Sequence, residues 1–281
     1  MPTIRYRLLN VFAESTFGGN PLAVVEDGTG LSDVEMQLIT RQFNLSETTF
    51  LLPPSSPHAA ARVRIFTPGF EMPFAGHPTL GSAHVVRELF QPGDAFELEM
   101  KAGLIPVRHE QGRWTLLANP PSYRETAATP AELADMLGLP VEAIAGPAMW
   151  VSCGAEQLII PLASVEHVRT VRPDPALLQK HGRNTKGEAQ TYVFARTADG
   201  FEVRFFWMTD ASKVSEDPGT GSACANLGGW WLKTTGNEPL SAKISQGAAM
   251  DRPNLLTLDV KDGKIHVGGR VISLGAGELH W

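Results

Sequence analysis

Glu47, His77 and Asp217 are the residues whose neighbours best suit them to moving or holding a proton. Glu47 lies in NLSETTFLL, at the entry to the apolar run Phe50, Leu51 and Leu52. A carboxyl turned away from water there has its charged form disfavoured. Its pKa rises toward neutrality, as a group that both takes and returns a proton requires. Glutamates at strand starts are more often solvated, so the position alone leaves a surface role open. His77 and Asp217 stand in glycine-rich stretches, AGHPTLG and DPGTGSA, each opening a predicted helix. Free N–H groups at a helix N-terminus, with the helix dipole, receive an anion without a basic side chain. Gly76 and Gly81 in one stretch, and Gly219 and Gly221 in the other, frame such donors, and Ser222 adds a hydroxyl. The set suits a small carboxylate-bearing metabolite. The competing interpretation is two ordinary tight entries into core helices.

These stretches belong to a longer repeat. At a constant offset of 140, Val63 matches Val203, Arg64 Arg204, Phe66 Phe206, Pro78 Pro218, Gly81 Gly221, Ser82 Ser222 and Ala83 Ala223, with His77 opposite Asp217. A match spanning a strand, a loop and a helix start points to duplication. The expected boundaries are an N-terminal domain at 1–122 and a C-terminal domain at 123–281, with the last strand able to return to the first domain. A pseudo-twofold arrangement would bring both helix mouths into one inter-domain cleft, a common place for a ligand.

The elements that must position these residues are legible. Ile4 to Phe12 and PLAVV read as a hairpin. Ser32 with Glu35 is a capping box for a helix to about Phe43. TTFLLP and ARVRIF are strands, GHPTLGSAHVVREL a helix, and FELEM, LIPVR and WTLLA strands. ANPPSYRETAATP reads as the linker, and Thr129 with Glu132 caps the next helix, with Pro130 at its start. Then come QLIIPL, a short helix through Leu177 and Leu178, TYVFAR, FEVRFFW, a helix from about Gly221 to Leu232, and three strand-like runs, AKISQG, LLTLDV and KIHVGGRVISL. Each half is thus an α+β unit, a mixed sheet around one long helix, with no alternating βαβ layout.

Several function classes fall away. The 281 residues are 43% apolar and 19% charged, enough for two cores without disorder. A net charge of -6 with scattered basic residues leaves no stripe for nucleic acid. No run approaches a membrane span. The start MPTIRYRLLNVF lacks secretory features, so a cytoplasmic location and reduced Cys153 and Cys224 are expected. No GxGxxG fingerprint supports a nicotinamide enzyme. The eight histidines, His84 among them, form no metal-ligand pattern. GTGSA is not a GxSxG elbow, so a Ser222 nucleophile lacks its motif, and a triad of Asp217, His77 and Ser222 would depend on geometry.

GGNPLAVV with Asn20 and Pro21, LSETTF with Glu47, FTPGFEMPFAGHPTLGSAHVV with His77, and SEDPGTGSA with Asp217 and Ser222 together resemble the phenazine biosynthesis PhzF-like family, of the diaminopimelate epimerase-like fold. QGAAMDRPN resembles that family's QG-to-RP segment, with Asp251 and Asn254 in place of small residues, and Gly219 stands where alanine is more usual. The resemblance implies two pseudo-symmetric domains, each a mixed sheet wrapped around a central helix. It implies a homodimer that binds a small carboxylate and needs neither cofactor nor metal. It maps the acid/base onto Glu47 and the substrate pocket onto His77, Asp217, Gly221 and Ser222; Gly76, from the helix-mouth reading, and Asn20 are expected to bind substrate beside them.

Epimerases of that fold use two cysteines, whose places fall near Ala75 and Pro218 here. Neither residue transfers a proton. A single carboxylate instead suits a proton shift that moves a double bond on a cyclic carboxylic or amino acid, as in the phenazine enzymes' dihydro-hydroxyanthranilate reaction. Epimerase-like activity, or a non-catalytic binder of small acids with Trp207, Trp230 and Trp231 at an interface, are the alternatives.

Overall fold

The computed structural model describes residues 2–208, 210 and 212–280. The chain divides by its contacts into two units, Met1–Leu117 with Gly268–Trp281, and Ala118–Val267. The first unit runs β1 (Thr3–Val11), β2 (Asn20–Val25), α1 (Asp33–Phe43), β3 (Thr48–Leu52), β4 (Ala59–Phe66), β5 (Glu71–Met72), α2 (Gly76–Phe90), β6 (Ala95–Met100), β7 (Gly103–Glu110) and β8 (Arg113–Leu117). The second runs β9 (Ser122–Glu125), α3 (Pro130–Leu137), β10 (Met149–Ser152), β11 (Glu156–Pro161), α4 (Val165–Thr170), α5 (Pro175–His181), β12 (Gln190–Arg196), β13 (Gly200–Met208), β14 (Val214–Asp217), α6 (Gly221–Thr235), β15 (Leu240–Gln246) and β16 (Asn254–Lys261). After β17 (Lys264–Gly269), β18 (Val271–His280) pairs antiparallel with β1, so the C-terminus belongs to the first unit.

Pairing is the same in both units. β1 lies antiparallel to β18 and β2, and β2 parallel to β3. β3 is antiparallel to β4, which is antiparallel to β5 and parallel to β6, and β6 is antiparallel to β7. In the second unit β10 lies antiparallel to β9 and β11, and β11 parallel to β12. β12 is antiparallel to β13, which is antiparallel to β14 and parallel to β15, and β15 is antiparallel to β16. This is the mixed α+β architecture that the sequence predicts.

Each sheet wraps one helix. Ten of the fifteen residues of α2 are buried, as are ten of the fifteen of α6, which suits helices that are apolar nearly all round. A Cβ on Gly81 would lie 2.4 Å from Leu22 Cδ2 and 3.0 Å from Val11 Cγ2. Glycine therefore lets α2 rest directly on β1 and β2. α1 closes a separate cluster of Ile4, Val25, Met36, Ile39, Phe50 and Phe66. Both predicted capping boxes form, Ser32 with Glu35 and Thr129 with Glu132.

The structure revises the repeat. Phe66 pairs with Glu71, and Phe206 with Glu216, so the offset is 140 at the phenylalanines and 145 at the glutamates. The β13–β14 hairpin is five residues longer than β4–β5, and the helices start at Gly76 and Gly221. The strand matches at Val63, Arg64 and Phe66 stand. Those placing Pro78, Gly81, Ser82 and Ala83 opposite Pro218, Gly221, Ser222 and Ala223 do not, because hairpin register sets where each helix begins. The true echo is EMPFAG at 71–76 against EDPGTG at 216–221. His77 corresponds to Ser222, and Asp217 to Met72.

A matched ion pair confirms this register. Arg64 holds Glu71 bidentately at 2.8 and 2.9 Å, and Arg204 holds Glu216 at 2.9 and 2.7 Å. Each guanidinium also lies over a phenylalanine of its own strand, Phe66 at 5.0 Å and Phe206 at 4.6 Å. Arg204 further donates to the carbonyls of Val168, Arg169 and Val171 at the end of α4.

Two element readings change. The stretch read as a linker carries β9, whose Tyr123 lies opposite Val151, and the second unit already begins at Ala118, whose N–H donates to Ile265 O. KIHVGGRVISL is two strands, β17 and β18, serving different partners.

Candidate active site

In the first unit four side chains converge. α1 ends at Asn44, whose left-handed conformation (φ 51°) turns the chain toward β3. β3 runs parallel to β2, which starts at Asn20. This sets Ser46 Oγ donating to Asn20 Oδ1 at 3.4 Å and puts Glu47 at the mouth of β3. His77, the second residue of α2, brings Nδ1 to 3.5 Å from Glu47 Oε2. Asn20 and His77 are almost wholly buried, and the Glu47 side chain is 17% exposed.

Burial sets the chemistry of Glu47. Loss of water raises its pKa from the ordinary 4.5 to about 7, with the neighbouring Ser46 hydroxyl pulling the other way. Oε2 is buried and accepts no hydrogen bond from a described residue. A carboxyl there is poised between its two forms at neutral pH, and proton transfer is efficient when the pKa lies near the working pH.

The second unit holds Asp217, Gly221 and Ser222. Asp217 ends β14, and Thr220 Oγ1 donates to its Oδ2 at 2.5 Å. Gln246, at the end of β15, ties this turn together. Its Nε2 donates to Asp217 O at 2.8 Å and Thr220 Oγ1 at 2.9 Å, while its Oε1 accepts from the Thr220 N–H at 3.1 Å. Ser222, the second residue of α6, accepts from Gln157 Nε2 at 3.0 Å. A Cβ on Gly219 would lie 2.3 Å from Asn254 Oδ1, so an asparagine at 254 and an alanine at 219 cannot both fit without movement. Two of the three departures from the resembled pattern, Gly219 and Asn254, therefore occupy one space.

Glu47, His77 and Asn20 are thus gathered in one unit, and Asp217, Gly221 and Ser222 in the other. Gln246, Gln157 and Asn226 were missed. Only Gln246 carried a signal, as the first residue of QGAAMDRPN. Pairing also shows what stands for Glu47 in the second unit. Thr48 lies opposite Phe66 and Thr191 opposite Phe206, so the counterpart is Gln190, an amide.

The cysteines are buried free thiols. Burial pushes Cys153 up to about 12 and Cys224 higher still. With the corrected offset, the residue matching Pro218 is Pro73, not Ala75, and it too carries no proton. Among the described residues no cluster of three or more His, Cys, Asp or Glu could hold a metal, and no helix is long and apolar enough to cross a membrane. Trp231 is buried and Trp230 ties its ring N–H to Pro147 O, which leaves Trp207 as the exposed member of that trio, at 39%.

A family model described as phenazine biosynthesis-like protein, PhzC-PhzF, matches residues 9–275. The chain belongs to the PhzC-PhzF family. An uncharacterized isomerase of Pasteurella multocida is 42% identical to it, over 98% of this chain and 93% of its own. The trans-2,3-dihydro-3-hydroxyanthranilate isomerase of Pseudomonas aeruginosa is 34% identical, over 79% of this chain and 78% of its own. Among solved structures, a PhzF-family protein of Bacillus anthracis superposes with a TM-score of 0.88 at 25% identity, covering both chains in full. A hydroxyproline epimerase from Agrobacterium vitis, with a TM-score of 0.60 at 13% identity over 99% of this chain and 92% of its own, shares the fold alone. This PhzC-PhzF protein is an isomerase of the diaminopimelate epimerase-like fold.

Proposed function

We propose that this isomerase shifts a double bond by moving one proton on a small cyclic carboxylic or amino acid, with Glu47 taking and returning it. The observation behind this reading is the buried Glu47 carboxyl, with a pKa of about 7 and Oε2 3.5 Å from His77 Nδ1. As carboxylate it accepts the proton of a C–H bond, whose electron pair becomes a new C=C while the neighbouring double bond shifts. As carboxylic acid it then returns the proton to the far carbon. Atoms and charge balance with no oxidation, and one group performs both transfers, so no cofactor is required.

His77 holds the carboxyl and the substrate in place. Asp217 and Ser222 bind the substrate's polar groups, and backbone N–H groups at Gly76 and Gly221 receive an anion. The Pseudomonas aeruginosa relative is named for a cyclic amino acid, which supports the substrate class. Neither thiol is suited to stereoinversion at neutral pH, since burial holds both protonated. A homodimer in the cytoplasm completes the reading.

The test is solvent-deuterium incorporation into trans-2,3-dihydro-3-hydroxyanthranilate and related cyclic acids, by wild type and Glu47→Gln. A loss of about 100-fold or more is expected for removal of a general acid/base. Unchanged incorporation in the variant would refute the role of Glu47. Binding of the acids by wild type without any incorporation would make the protein a binder.

A further inference from the structure

Beneath the first turn of α6 runs a chain of buried amides whose hydrogen-bond direction is fixed from its far end. The Cys153 N–H donates to Asn226 Oδ1 at 2.7 Å, and Asn226 Nδ2 donates to Ala155 O at 2.8 Å. A backbone N–H only donates and a backbone carbonyl only accepts, so these two anchors allow one orientation of the Asn226 amide. Its second N–H proton goes to Gln157 Oε1 at 2.6 Å, which orients the Gln157 amide in turn. Gln157 Nε2 must then donate, and it does so to Ser222 Oγ at 3.0 Å. Gln157 and Asn226 are 2% and 0% exposed, so water does not compete for either.

Ser222 is partly exposed at the second position of the helix and has one hydroxyl proton. The lone pair facing inward is occupied, and the proton cannot point at Gln157. We infer that Gln157, held by Asn226, is a positioning residue that makes Ser222 a hydrogen-bond donor to the ligand. The group received at this helix mouth is then an acceptor, the substrate's carboxylate, and not an amide or ammonium N–H. This rests on the reading above that Ser222 binds substrate. It goes beyond that reading by naming the residues that set the polarity of the Ser222 hydroxyl.

The experiment compares equilibrium binding of anthranilate and its carboxamide, 2-aminobenzamide, to wild type and to Gln157→Glu. An ionised carboxyl at 157 would accept the Ser222 proton and turn the hydroxyl inward. The preference for anthranilate over the amide should fall about tenfold, the worth of one charge-assisted hydrogen bond, and recover as lower pH protonates the introduced carboxyl. The same substitution in a Ser222→Ala background should change the preference much less.

An equal change with and without Ser222 means that charge alone is at work and overturns the inference. So does a wild type that binds anthranilate no better than the amide, or not at all. If the buried carboxyl prevents folding, Gln157→Met serves instead. It frees the hydroxyl to rotate without adding charge and should lower the preference only when Ser222 is present; an unchanged preference overturns the inference. Binding is repeated in Glu47→Gln. A lost preference in Gln157→Glu beside unaltered deuterium incorporation in Glu47→Gln sinks the shuttle and leaves this inference intact. The converse sinks this inference alone.

Discussion

Replacing Glu47 by glutamine should stabilise the protein at alkaline pH and much less in acid. The carboxyl binds its proton more tightly folded than unfolded, with a pKa of about 7 against the ordinary 4.5. Between those values the native state carries the extra proton, so stability falls as pH rises through this window and levels off above about pH 7. At about 1.4 kcal/mol per tenfold change in proton affinity, the destabilisation approaches about 3 kcal/mol at pH 8 and is about 1 kcal/mol at pH 5. Glutamine has no such penalty, although its amide still needs partners, so about 3 kcal/mol bounds the gain. At roughly 2 °C per kcal/mol for a chain of this size, Glu47→Gln should melt up to about 6 °C above wild type at pH 8 and about 2 °C above it at pH 5. The assay is thermal unfolding of both proteins at the two pH values, and subtracting one from the other cancels groups that titrate alike in both. A gap that is the same at pH 5 and pH 8 would show that the carboxyl is not held in a desolvated site, and the acid/base argument would lose its foundation. The stabilised variant is also the one expected to lose proton exchange, a cost of function usual at active sites.

In the pH dependence of deuterium incorporation, kcat/KM should rise with an apparent pKa of about 7 as Glu47 ionises; a rise centred near 4.5 would contradict this. Cys153 and Cys224, buried with raised pKa values, should resist a thiol reagent in the native protein at pH 7.5, and both should react in urea; prompt native labelling would show an open thiol site. Gly219→Ala should destabilise by about 1–3 kcal/mol, because the new Cβ would lie 2.3 Å from Asn254 Oδ1. Asn254→Ala in the same chain should return much of that, and additive effects in the double-mutant cycle would refute the shared space.

Much of the fold was legible because local signals agreed. Ser32 with Glu35 and Thr129 with Glu132 announce helix starts, since a hydroxyl and a carboxyl three residues apart can satisfy one another's backbone N–H groups. ARVRIF alternates, and β4 accordingly buries Ala59, Ala61, Val63 and Ile65. β9 was hidden because its four residues are all exposed, with no apolar pattern to mark a strand held by its pairing with β10. The five-residue difference between the two hairpins was hidden for a related reason. Hairpin length is a matter of register, and proline, glycine and serine recur near the helix starts often enough to align at the wrong offset.

The sequence by itself determined the duplicated α+β architecture, the family and the identity of Glu47, His77, Asp217 and Ser222 as the residues to watch. Those features rest on residue type and short spacing, which the chain carries in one dimension. Tertiary structure decided what each residue meets. It put His77 Nδ1 beside the Glu47 carboxyl and withdrew that carboxyl from water. It made Ser222, not Asp217, the counterpart of His77, and set two buried amides behind it. Desolvation and hydrogen-bond direction belong to packed surroundings assembled from distant parts of the chain, and no local motif encodes them.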